Sequence, residues 1–381
     1  MRAGAALWLA LAALSAGAGA AEEGPAFTES EIKAILAHGP WPAAATTDPS
    51  NRVSGKRDAV ELGERLFFEQ RLSVAGKFSC GTCHVPERNW TDNQTRGAAA
   101  AEVERNTPTL MNIRLGHWFG WDGGSDSLWA QSIKPILDPR ELGASPRHVA
   151  ELMRSDEQLA CRYRRVFGAA PSASDDERVL VDVAKALAAF METLESPPTP
   201  FDQFRNALAR GERIAPWRYS EAAQRGLKTF IRNCDRCHSG PNFSDGEFHA
   251  NGFAALAKRP DPGRVEGVKR LRENRFNLLS SYNDDPTRAT AEGTRRVLDK
   301  PGEADAFKVP TLRHMLLTPP YGHHGELERL ADVVRHYSET GGPEVKPLRL
   351  TAAEQTDLVV FLESLSTFSN PWRPDDKGRC E

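Results

Sequence analysis

Two pentapeptides of one pattern, Cys80-Gly81-Thr82-Cys83-His84 and Cys234-Asp235-Arg236-Cys237-His238, constrain this chain more than any other feature. In Cys-x-x-Cys-His the two thiols add across the vinyl groups of a haem, and the adjacent imidazole meets the iron from one face. A zinc site would want facing Cys-x-x-Cys pairs and would not require a histidine directly after each. Two covalently bound haem c groups are therefore expected, one on Cys80 and Cys83 and one on Cys234 and Cys237. His84 and His238 are their iron ligands.

The surroundings of the two motifs repeat. Each follows a segment with apolar residues at helical spacing, "AVELGERLFF" before the first and "EAAQRGLKTFI" before the second. Each unit then closes on an apolar helix, residues 179–196 and 351–366. In the second of these, Leu358, Phe361, Leu362 and Leu365 fall on one helical face. No run of alternating strands stands out, and "SPPTPFDQF" (196–204) reads as a linker. The expected fold is mainly α, two cytochrome c-like haem domains in tandem with long loops. The N-terminal domain takes residues 22–199 and the C-terminal one residues 200–381.

Residues 1–21 hold a short basic end, an apolar run over 5–14 and an Ala-x-Ala step, the pattern of a cleaved secretory signal peptide. The run is shorter than the roughly 20 residues a membrane-spanning helix needs. The mature chain is thus expected in the periplasm, with no membrane span. A formal net charge of −3 gives no basic surface for nucleic acid. Cys161 and Cys380 are isolated. Export permits a bridge between them, but the sequence leaves it open.

The second axial ligand decides what each haem does: a filled position suits electron transfer, an open one lets an oxidant bind. After His84 the next histidine is His117 and the next methionine Met111, so the first iron is expected to keep an open side. The C-terminal unit offers His249, His314, Met315, His323, His324, His336 and Tyr337, and composition does not choose among them. Tyr337 shares a helical face with Leu330, Val333 and Val334 and so points inward.

The ordered motifs "CGTCH", "RNTPTLMN", "FGWDGG", "LWAQSIKPI", "CDRCH", "KVPTLRH", "TPPYGHHG" and "LADVVRHY" make roughly residues 28–370 resemble the bacterial di-haem cytochrome c peroxidases, and among them the MauG branch. "WFGWDGGSDSLWAQSIKPIL" looks closer to its MbnH-type members. The resemblance implies a peroxide-reacting high-spin haem in the N-terminal unit and a low-spin haem in the C-terminal one. A tryptophan and a calcium ion lie between them. Trp121 matches the bridging tryptophan, while Gln131 and Glu141 match the polar residues over the peroxide site, with Pro135 in the same wall. Asn106, Thr318 and Pro320 match the calcium site, the last two through backbone carbonyls, and oxygen ligands suit such a cation.

Two departures from ordinary cytochrome c peroxidases point to the MauG branch. The loop after the first motif, with Asn89-Trp90-Thr91-Asp92, carries no histidine to block the iron. Tyr337 stands where those enzymes place methionine, which makes it the expected distal ligand of the second haem. A third departure, Gly322-His323-His324-Gly325, leaves the role of His324 open. His323 is expected against a haem propionate or the calcium shell.

The resemblance implies a haem peroxidase-type oxidoreductase. Hydrogen peroxide would be cleaved with Glu141 moving the proton and Gln131 orienting the oxidant. The two oxidising equivalents would be shared through Trp121 as a bis-Fe(IV) state that oxidises Trp or Tyr side chains of a periplasmic protein substrate. The alternatives are a cytochrome c peroxidase drawing electrons from a small redox protein, a cytochrome or cupredoxin, and a non-enzymatic di-haem electron carrier.

Overall fold

The structure is a computed structural model that describes residues 27–212, 218–258, 260–298, 303–368, 372 and 380. The leader expected over residues 1–21 lies outside them. Thirteen α-helices are found among the described residues. Strand structure there is confined to one antiparallel pair, β1 (Phe248–His249) and β2 (Phe307–Lys308), with Phe248 opposite Lys308. No helix among these residues is long and apolar enough to cross a membrane.

In the first unit, α1 (Glu29–Ala37) starts at a capping box in which Thr28 and Glu31 satisfy each other's backbone amides. Helix α2 (Arg57–Phe67) leads to α3 (Cys80–Cys83), a single turn that is the first haem motif. Helices α4 (Leu128–Leu137), α5 (Pro146–Ser155) and α6 (Glu157–Phe167) precede α7 (Asp176–Met191). From Val179 to Met191 every residue of α7 is buried, because α2, α4 and α5 pack around it. The two charged residues inside this buried run are paired, Asp182 with Arg52 and Lys185 with Asp284.

The second unit begins earlier than the linker reading allows. Thr199 caps α8 (Pro200–Ala209), so only residues 196–199 connect, and Pro200 sits at the first helical position where its missing N–H costs nothing. There follow α9 (Glu221–Asn233), α10 (Arg264–Glu273), α11 (Glu292–Leu298), α12 (Leu330–Glu339) and α13 (Ala352–Glu363). Leu358, Phe361, Leu362 and Leu365 are buried, as the helical spacing predicts.

The repeat is structural as well as sequential. Helix α2 lies on α7 and α9 lies on α13, and each pair closes on a glycine. A Cβ on Gly63 would stand 2.0 Å from the Ala186 carbonyl oxygen, and one on Gly226 would stand 1.9 Å from that of Asp357. Asn112 and His314, both left-handed, donate their amides to Leu194 and Leu365, just past the ends of α7 and α13. The loop bridged by Phe119 and Ser125 before α4 has its counterpart in the loop bridged by Tyr321 and Leu327 before α12.

Segments also cross between the cores. Ile35 of α1 belongs to the second core, with Phe201, Phe230 and Phe361, while Phe276, Leu278 and Ala291 belong to the first. Cys161 of α6 is bonded to Cys380, with Cα atoms 6.1 Å apart, inside the usual range for a bridge. The bridge left open by the sequence is present, and it ties the C-terminal end to the first unit.

Candidate functional site

Both haem-motif histidines are prepared in the same way. His84 Nδ1 lies 2.9 Å from the Trp90 carbonyl, and His238 Nδ1 lies 3.0 Å from the Phe243 carbonyl. Trp90 and Phe243 have φ of 61° and 51°, a left-handed conformation that bulky residues seldom adopt. In each case that turn carries the carbonyl back to the imidazole. A ring whose Nδ1 is engaged presents Nε2 to a metal. Burial lowers the pKa of both histidines, which favours the neutral, ligating form.

A cavity of about 550 Å³ opens in front of His84. Its lining includes Cys80, Cys83, Asn106, Trp121, Gln131, Pro135 and Glu141. The chain thus brings together the first motif, the expected bridging tryptophan and both expected peroxide residues. Ser127 caps α4 through the Ala130 amide and so fixes the helix that carries Gln131 and Pro135. Gln131 Oε1 is buried and has no hydrogen-bond partner among the described residues. An orphaned acceptor of this kind calls for a polar guest. Glu141 has its carboxyl pushed up to about 7, first by burial and then by the charge of Asp138.

Trp121 is clamped at both ends. Its indole Nε1 donates to the Asn106 carbonyl over 2.9 Å, and its own carbonyl accepts the Lys308 amide of β2 over 2.8 Å. Next to it, Asp122 binds Arg105 at 2.8 Å and Arg270 at 3.1 Å, and Arg105 reaches on to Asp261. His324 Nε2 meets Asp261 at 3.0 Å, whereas His323 stacks on Phe307 with centroids 3.5 Å apart. These ion pairs hold the tryptophan loop against the second unit.

The residues matched to calcium lie where the two units meet. Asn106 donates its backbone amide to the His323 carbonyl and its side-chain amide to that of Gln94. Asn93 donates to the carbonyls of Leu317 and Pro319, which bracket Thr318 and precede Pro320. A Cβ on Gly325 would stand 2.7 Å from the Thr95 carbonyl oxygen, so the two loops are in close contact.

In the second unit four of the alternatives open in the sequence are engaged elsewhere, whereas His323 keeps a buried Nε2 without a hydrogen-bond partner among the described residues. His249 is bound by Asp245 and Glu344, His314 faces the carbonyls of Pro197 and Thr367, and His336 faces that of Asn251. Met315 is buried in the second core. Tyr337 is different. Its hydroxyl is buried, which raises its pKa, and it lies close enough to Cys234 and Cys237 of the second motif for them to add to that rise. Asn251 Nδ2 donates to the phenol oxygen over 2.9 Å, a contact between residues 86 apart that no local pattern foretells.

The bridged loops and helices of the two units keep one constant spacing, from Asn112 and His314 through Phe119 and Tyr321 to Leu128 and Leu330. By that spacing Pro135 of α4 is the counterpart of Tyr337 of α12. One unit offers a phenol at this step and the other a ring of carbon with no atom that can bind iron. The residues present fit two haem groups.

Comparison with known proteins agrees with this geometry. The profile described as di-haem cytochrome c peroxidase matches residues 57–210. The methylamine utilization protein MauG of Methylorubrum extorquens is 32% identical over 348 residues, covering 89% of this chain and 86% of that protein. The cytochrome-c peroxidase IdrP1 of Denitromonas iodatirespirans is 31% identical, covering 84% of each. Among solved structures, a MauG-like protein associated with microbial copper homeostasis superposes with a TM-score of 0.64 at 23% identity, covering 88% of this chain and all of that one. The diheme peroxidase BthA from Burkholderia thailandensis gives 0.63 at 20% identity, covering 86% and 88%. At such identities the likeness is one of fold.

Proposed function

We propose that this chain, which belongs to the family of the di-haem cytochrome c peroxidases and MauG, uses hydrogen peroxide to oxidise Trp or Tyr side chains of a partner protein. It is a peroxide-dependent oxidoreductase of the haem peroxidase type, with two haem c groups. The observation that carries the finer reading is the inequality of Pro135 and Tyr337 at equivalent steps of α4 and α12.

In the first unit Cys80 and Cys83 would hold the haem and His84 would bind its iron. When bound, that group would supply the metal at which the O–O bond of peroxide is cleaved. Glu141 would accept a proton from the near peroxide oxygen and return it to the departing one. A carboxyl poised at about 7 suits both halves of that task. Gln131 would orient the oxidant through its free amide oxygen. Pro135 would keep protein atoms away from the open side.

In the second unit Cys234, Cys237 and His238 would hold the other haem, with Tyr337 as a further ligand to its iron. An oxygen ligand favours oxidised iron where a thioether favours the reduced state. Trp121, clamped between Asn106 and Lys308, would pass charge between the two sites. Such a relay suits oxidation of a protein side chain at a distance. Asn106 and the carbonyls of Thr318 and Pro320 would hold calcium at the junction of the units. The domain boundary at 199/200 and a periplasmic home, addressed by residues 1–21, complete the reading.

The test is the ferric holoprotein mixed with hydrogen peroxide. A new near-infrared absorption band from charge shared between two oxidised haems is expected. Activity only after half-reduction, with rapid turnover of a small cytochrome, would replace this reading with that of an ordinary cytochrome c peroxidase.

A further inference from the structure

Trp90 sits against His84 and outside the lining of the cavity that holds Gln131 and Glu141. Its carbonyl takes the His84 Nδ1 contact at 2.9 Å, and its side chain is 1% exposed. The indole meets Trp372 edge to face, with centroids 5.2 Å apart and planes at 78°. Phe67 fills the step toward the haem ligand, 5.6 Å from Trp90 and 6.4 Å from His84. Trp372 is only half-buried, and it also packs on Phe68 at 5.3 Å. Phe68 in turn covers the first motif, since a Cβ on Gly81 would stand 2.6 Å from its ring.

Indoles are among the side chains most easily oxidised by one electron. Two of them in ring contact, one sealed behind a haem ligand and one reaching solvent, give an oxidised centre a way to draw electrons from the surface. The route is separate from Trp121, which lies in the cavity wall and faces the second unit. Packing alone would not require indole at both steps.

We propose that Trp90 and Trp372 form a second exit for oxidising equivalents, from the proximal side of the first haem to the protein surface. It acts when no partner is present to be oxidised, and it rests on the peroxide-driven reading above. Trp90 is oxidised by one electron and restored by Trp372, twice per peroxide. Trp372 loses two electrons, a water oxygen adds to its ring, and two protons go to solvent. Peroxide takes up two electrons and two protons and becomes two waters. The net change is one oxygen gained by Trp372 and one water formed for each peroxide consumed.

The experiment exposes ferric holoprotein to excess hydrogen peroxide, without partner, in water carrying heavy oxygen. Spectra follow the oxidised state, and peptide mass spectrometry locates the label. The expected result is solvent-derived oxygen on Trp372, strongly reduced in Trp90→Phe, and an oxidised state that lasts several-fold longer in Trp372→Phe. The second variant changes a half-buried side chain, so it keeps the test decisive should Trp90→Phe not fold. An oxidised state that forms normally while Trp372 stays unmodified, or carries oxygen from peroxide itself, would overturn this inference alone. No spectral response to peroxide would overturn the parent reading and this inference with it.

Discussion

The amide of Asn251 donates to the phenol oxygen of Tyr337 over 2.9 Å, while the neighbouring His336 turns its Nε2 to the Asn251 carbonyl at 3.1 Å. One asparagine thus sorts two adjacent side chains of α12. It occupies the histidine, the stronger metal ligand of the pair, and leaves the phenol beside the second motif. A hydrogen bond donated to the oxygen also favours its charged form, against the upward pull of burial.

Replacing Tyr337 with methionine should therefore change what the second site is for. In Tyr337→Met, peroxide no longer yields the near-infrared band, and the second haem becomes easier to reduce, which a redox titration reads directly. An unchanged ferric spectrum in Tyr337→Phe would rule out ligation.

The converse substitution tests the first site. Pro135→Met places a thioether at the step where α12 carries Tyr337. Electron paramagnetic resonance should show the high-spin ferric signal replaced by a low-spin one, with reaction toward peroxide lost. Retention of both would mean that Pro135 does not face the iron.

Glu141→Gln removes the proton carrier while keeping the shape. A loss of about 10²–10⁴-fold in the rate of peroxide cleavage is expected. The wild-type carboxyl, raised to about 7, must be ionised to accept the first proton. The stopped-flow rate should accordingly rise with pH through that region in the wild type and lose this rise in the variant.

Trp121→Phe keeps an aromatic ring but loses the indole and its hydrogen bond to Asn106. Oxidation of the partner should slow while peroxide is still consumed, as paired assays of product and peroxide would report. Equal loss of both would remove the tryptophan from the relay.

Gly226→Ala drives a Cβ to within 1.9 Å of the Asp357 carbonyl oxygen, and backbone cannot yield as a side chain can. Overpacking of this kind costs roughly 1–3 kcal/mol or more. At about 2–4 °C per kcal/mol for a large domain, calorimetry should show a clear fall in Tm. Gly63→Ala, the equivalent change in the first unit, should do the same.

Much of this is legible in the sequence alone. Cys-x-x-Cys-His is a local motif whose chemistry lies within five residues, and the apolar spacing of α13 follows from the helical period alone. Tyr337 was visible as inward-pointing for the same reason. The carbonyls of Trp90 and Phe243 were not, because they reach the histidines through left-handed turns at residues whose type does not favour them. Nor was Asn251, nor the pairing of Cys161 with Cys380, since both depend on contacts between distant parts of the chain. The linker was overextended because proline reads equally as a breaker and as the first residue of a helix.

The exchange of segments between the two cores has one more consequence. A tandem pair joined by a simple tether could swing, and the separation of its irons would vary with every swing. Here each half is basted into the other, by Ile35 in one direction and by Phe276, Leu278 and Ala291 in the other, and the disulfide adds a final stitch. Severing the chain between residues 199 and 200 would leave two pieces with holes in their middles, not two working cytochromes. The doubled module is thereby one body, with the separation of its two Cys-x-x-Cys-His sites set by the weave.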